Sequence, residues 1–166
     1  MEEDRLKGVK EKINAYNEAL KRNSLNEWLV PETLVFIIEN TAKDKKCCNS
    51  EIEILYCHLL KYYYQTDKQS RSWINTINYA SSNVYKYISK NKNVKQDVEN
   101  NLEKSYIKGR YKAIGETKLS SNIFPQTIPN DWKLDNISNS LWIKDFLIKY
   151  AKSYEAKKEV EKYAKS

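Results

Sequence analysis

Ile52-Glu-Ile-Leu-Tyr-Cys-His-Leu-Leu-Lys-Tyr-Tyr-Tyr-Gln65 is the stretch that decides the fold. Leu55, Leu59 and Tyr62 recur at steps of four and three, which puts them on one apolar face of a helix. His58 lies beside that face, three residues after Leu55 and four before Tyr62. Arg71-Ser-Trp73 follows after a short link and opens a second helix, with Ser70 or Ser72 as its cap. Trp73, Ile77, Ala80, Val84 and Ile88 then step by four, three, four and four, the narrow seam of a bundle. A short link between two such helices folds them back as an antiparallel pair.

The flanking sequence extends the same pattern. Glu2 to Arg22 reads as an amphipathic helix with Leu6, Val9, Ile13, Tyr16 and Leu20 on one face. A link with Leu25, Trp28 and Leu29 leads to Pro31-Glu32, a favourable helix start. Leu34, Ile37 and Ile38 form the stripe of that helix, and Ser50 followed by Glu53 resembles a capping box that would restart it. After a turn at Asn91 to Asn93, a helix from about Val94 to Gly115 carries Val98, Leu102, Tyr106 and Ala113 inward. Lys118 to Trp132 is a loop with Phe124-Pro125 and Ile128-Pro129, expected to cover one end of the bundle. A last helix is expected from about Asn139 to 160, with Trp142, Phe146, Tyr150 and Tyr154 on it.

Composition agrees with helices. The chain of 166 residues has only 3 glycines and 3 prolines, too few for the turns of a sheet protein. The expected fold is therefore all-α: a single-domain antiparallel bundle of five or six helices over 1–166. No apolar run reaches the length of a membrane span and no secretory h-region opens the chain, so a cytoplasmic protein is expected. Three cysteines, two of them vicinal, make a poor disulfide framework, and reduced thiols are expected. Cys57 and His58 point about 100° apart on a helix and do not converge on one ion. No metal and no cofactor are expected.

His58-Leu-Leu-Lys61, Tyr64-Gln65, Arg71-Ser-Trp73, Thr76-Ile77, Tyr106, Ala113, Glu116-Thr117 and Phe124-Pro125 together resemble a bacterial family known as domain of unknown function number twenty-nine. The order and gaps are similar over about Leu25 to Trp142, with the helices at either end packed on that core. The resemblance implies an all-α bundle and supplies no activity. Where the family carries an acidic run before the histidine helix, this chain has Val35-Phe-Ile-Ile-Glu39-Asn40, so no carboxylate-built metal site is expected. Where the family has Glu-Thr-Gly-Leu, this chain has Glu116-Thr-Lys118-Leu119, without the glycine cap.

The candidate site is the polar set His58, Lys61, Tyr64, Gln65, Arg71, Trp73 and Glu116, gathered where the two helices turn a corner. Its structural reading makes Arg71 a clamp on the carbonyls that end the His58 helix, with His58 a satisfied core imidazole and Trp73 a packing anchor. Its catalytic reading is a metal-independent nuclease, with His58 as general acid or base, Lys61 and Arg71 on the phosphate and Tyr64 as a second proton donor.

The expected function is instead a non-catalytic interaction module. The formal charge is +7, which attracts nucleic acid or an acidic partner. Lys86, Lys90, Lys92 and Lys95, then Lys104, Lys108, Arg110 and Lys112, lie on two adjacent helices, with Tyr85 and Tyr87 interleaved as stacking rings. Asp97, Glu99 and Glu103 dilute that surface. A protein partner is the other expectation, through exposed aromatics at Trp132, Trp142, Tyr150, Tyr154 and Tyr163.

Overall fold

The apolar repeat that begins at Ile52 belongs to one long helix, α1, Leu29–Tyr64. The computed structural model describes residues 7, 8, 10–15, 18 and 29–164, and every regular element among them is helical. Ser50 does not restart a helix: its hydroxyl donates to the Lys46 carbonyl at 3.0 Å inside an unbroken turn. A serine that bonds back four residues sits in a helix interior, where no cap is needed.

A 3-10 turn, Thr66–Lys68, leads to α2, Arg71–Lys90, capped by Ser70, whose hydroxyl accepts from the Trp73 N–H at 3.3 Å. Asn91 then caps α3, Lys92–Thr117, by accepting from the Asn93 N–H at 2.8 Å. Cross-helix contacts fix the directions. Asn83 donates to Glu51 at 3.1 Å while Lys61 lies over Trp73, so α2 runs antiparallel to α1. Asn49 meets Asp97 and Ser105, and Lys61 meets Glu116, so α3 runs parallel to α1. The result is an up-down-up bundle around Leu55, Leu59, Tyr62, Ile77, Ala80, Val84, Val98, Tyr106 and Ala113, all buried as their spacing requires. Each large apolar side chain buried there contributes roughly 1.5–3 kcal/mol.

Gly109 sets the closest approach. A Cβ built on it would lie 2.7 Å from the Glu53 carbonyl oxygen and 2.9 Å from the Tyr56 Cβ. The absence of a side chain lets α3 press directly on the backbone of α1.

Beyond α3, Lys118 takes the left-handed C-cap conformation at φ 59° and returns its N–H to the Ile114 carbonyl. The loop that follows is fastened from beneath. Phe124 is buried against the Tyr64 ring, Tyr106 donates to the Pro125 carbonyl at 2.9 Å, and Tyr56 donates to the Trp132 carbonyl at 2.8 Å. One turn of helix, α4 (Leu134–Ile137), precedes α5, Ser140–Tyr150, and α6, Tyr154–Ala164. The single last helix expected from the periodicity is thus two, broken over Ala151 to Ser153, with both packed on α2.

Contacts divide the chain into 1–44 and 45–166. Within the first unit the Lys12 ammonium lies over the Phe36 ring at 4.5 Å. The helix expected over Glu2 to Arg22 lies mostly outside the described residues, as do Leu25 and Trp28; the described part of it is helical. Ile38, placed on an apolar stripe by its spacing, is exposed. No helix among the described residues is long and apolar enough to cross a membrane.

Candidate functional site

Four residues of the candidate set meet where α1, α2 and α3 adjoin. Lys61 is only 6% exposed. Its ammonium lies 2.5 Å from the Glu116 carboxylate and 4.5 Å over the Trp73 ring, which together offset the desolvation of a buried charge. His58, one turn before Lys61, is half-buried, and its Nδ1 lies 3.0 Å from the Ile54 carbonyl. A carbonyl only accepts, so Nδ1 carries the proton and Nε2 is the free acceptor in the neutral ring. Burial holds the His58 pKa below its ordinary value and Lys61 pushes the same way, while the Ile54 carbonyl and Glu116 oppose them. Glu116 therefore does supply a carboxylate to this corner, paired with Lys61.

Arg71 turns to the other end of the molecule's sequence. Its guanidinium lies 3.7 Å from Glu159 and its backbone N–H donates to Glu155 at 2.9 Å, both on α6. The corner clamp is Gln69. Its Nε2 donates to the Tyr62 and Tyr150 carbonyls, each at 2.7 Å, and its Oε1 accepts from the N–H groups of Lys152 and Ser153. One buried amide thus joins the end of α1 to the break between α5 and α6. Gln65 is buried and donates to the Thr117 carbonyl at 3.4 Å. Tyr64 is half-buried between Tyr63 and Phe124, and burial raises its pKa.

The basic residues separate into three kinds. Lys86 and Lys90 are exposed near the end of α2, with no ion-pair partner among the described residues. Arg110 grips the loop, donating to the Ser121 carbonyl at 2.7 Å and to that of Phe124 at 3.2 and 3.3 Å. Lys108 pairs with Glu53 at 2.9 Å, as Lys112 does at 3.1 Å. Between α1 and α3 lies a groove of about 270 Å³ lined by Lys45, Lys46, Lys104 and Lys108, with Asp97 and Glu53 in it. Tyr85 is exposed, but Tyr87 packs against the core and is no stacking platform. The ring that stands beside the lysine row of α3 is Tyr111, 66% exposed. Its spacing marked it: Tyr111 lies off the seam of Val98, Tyr106 and Ala113, whereas Tyr87 lies three residues after the buried Val84.

Trp132, expected on the surface, is 6% exposed and packs edge-on to Phe146 at 5.5 Å. Tyr154 is 82% exposed. Cys57 faces the core, where burial pushes its thiol up to about 12, while its neighbour His58 faces outward. Among the described residues no three His, Cys, Asp or Glu side chains gather closely enough to hold a metal ion.

These features define an all-helical bundle domain with a lysine-lined groove between α1 and α3 and a corner where His58, Lys61, Trp73 and Glu116 meet. Residues 18–143 match the family described as Domain of unknown function DUF29, and the chain belongs to that family. No curated protein and no solved structure matches the chain.

Proposed function

We propose that the domain is a non-catalytic module that binds single-stranded nucleic acid along the groove between α1 and α3. The observation that carries this reading is the row Lys104, Lys108 and Lys112 beside the exposed Tyr111, facing Lys45 and Lys46 across the groove. Five ammoniums there meet two carboxylates, Glu53 and Asp97. Glu53 holds Lys108 and Lys112 in place without neutralising both. An aromatic ring among spaced cations suits a flexible strand, whose bases stack while its phosphates follow the groove.

The nuclease reading has less support. The Nδ1 of His58 is committed to a backbone carbonyl, the ammonium of Lys61 to Glu116 and Trp73, and the guanidinium of Arg71 to α6.

Fluorescence anisotropy with a labelled single-stranded oligonucleotide tests the proposal. With about four phosphates neutralised, log K should fall against log salt with a slope near −3. Tyr111→Ala should weaken binding by about 1–3 kcal/mol. Oligonucleotide that stays free at 20–50 mM salt, or that binds Tyr111→Ala and Lys104→Glu as well as the native protein, removes the reading.

A further inference from the structure

Six tyrosines of the helical core fall into two groups. Tyr56, Tyr62 and Tyr106 are buried and donate their hydroxyls to the carbonyls of Trp132, Leu147 and Pro125. Tyr63, Tyr64 and Tyr150 sit together at the surface side of that core and donate to no protein group among the described residues. Tyr63 touches both of the others, with ring centroids 4.7 Å from Tyr64 and 4.6 Å from Tyr150. With Trp132, Pro125 and Pro129 they line a depression of about 350 Å³. The indole N–H of Trp132 is a further free donor. It makes no hydrogen bond to the described residues, and Trp132 is 6% exposed. Asp131 stands at the rim, exposed and without an ion-pair partner among the described residues.

The depression thus offers the outer parts of the Tyr63 and Tyr64 rings, two prolines, several unused donors and one carboxylate, while the Lys149 ammonium lies 5.2 Å over the Tyr150 ring. A ligand that fits presents flat apolar rings, a row of unsatisfied carbonyls and a cation. A polyproline II segment has the first two: its backbone makes no internal hydrogen bonds and its prolines stack on aromatic side chains. Its preformed shape also lowers the ordering cost of docking. A simple organic cation uses the rings and Asp131 but leaves the phenol and indole donors idle. We infer that this aromatic depression is a docking site for a proline-rich segment of a partner protein, with a basic residue of that segment on Asp131. The site is separate from the lysine groove and does not rest on the nucleic-acid reading.

Titration of the full chain with an eight-residue polyproline peptide carrying one terminal arginine tests it, followed by tryptophan fluorescence and by amide chemical shifts. Saturable binding that shifts residues 125–132 and the ends of α1 and α5 is expected. Tyr150→Phe keeps the packed ring and removes one donor; affinity should drop about fivefold. Asp131→Asn should abolish the preference for the arginine-bearing peptide over plain polyproline. Equal binding of a glycine–serine peptide with the same arginine overturns the inference, as does the absence of saturation at millimolar peptide. Shifts at the same residues with tetramethylammonium chloride but not with polyproline would reassign the depression to a cation.

Discussion

Gly109 and Lys118 make opposite demands on their side chains. In an exposed helix, glycine to alanine stabilises by about 1 kcal/mol. At 109 the added methyl would press on the Glu53 carbonyl and Tyr56, so Gly109→Ala should lose about 1–3 kcal/mol in urea unfolding. A gain there would mean that α1 and α3 stand further apart. Lys118 holds φ at 59°, where a side chain crowds its own carbonyl. Lys118→Gly should raise stability by about 1 kcal/mol by the same measurement. His58 gives a pH signature. Its folded pKa lies below the ordinary 6.5 because of burial. Above 6.5 both folded and unfolded rings are neutral. As pH falls through 6.5 the unfolded chain takes up a proton that the folded chain refuses, so stability declines until the folded pKa is reached. The melting temperature of His58→Gln should therefore vary less between pH 7.5 and 5.5 than that of the native chain. Glu53, held low by Lys108 and Lys112 despite its burial, acts only further down, in the carboxylate range.

Among the elements, the joint at Gln69 matters most. Its four hydrogen bonds are buried or partly buried, and Gln69→Ala leaves two carbonyls and two N–H groups to find other partners. A loss of about 2–4 kcal/mol is expected, with amide exchange quickening first in α6 rather than in α2. Equal quickening in both would mean that the joint is not local. The helices were legible because period alone decides which face is apolar: Leu55, Leu59, Ile77, Val84 and Val98 are buried where their spacing put them. Gln69 was not legible, since three of its four partners lie some eighty positions away and no local pattern marks a glutamine in a linker. The break between α5 and α6 escaped for the same reason: Ala151-Lys-Ser153 contains no glycine or proline, and its turn is set by the amide it receives. Arg71 was expected beside His58 and Lys61, but its guanidinium lies against Glu159 of α6, whose position is a tertiary matter. The meeting of His58, Lys61, Trp73 and Glu116 was readable in part, because an antiparallel turn brings Lys61 to Trp73 without further information.

Across the whole molecule, the +7 charge is unevenly used. Part of the cationic inventory serves the fold: Arg110 holds a loop, Lys61 fills a buried corner, and Arg71, though exposed, lies against Glu159 of α6. Net charge alone therefore overstates what a partner meets, and the lysines of the α1–α3 groove are the better measure. Adding salt should weaken oligonucleotide binding while barely moving the melting temperature, because the exposed ion pairs stabilise the fold little. A melting temperature that fell in parallel with affinity would point to charge holding the bundle together. The segment between α3 and α4 has a different consequence. It is tied at the carbonyls of residues 121, 124, 125 and 132 by side chains rising from the helices below. Such a strap cannot be peeled off one residue at a time. It comes loose only when the scaffold itself parts, so a protease added to the native protein should nick it at the rate of global opening.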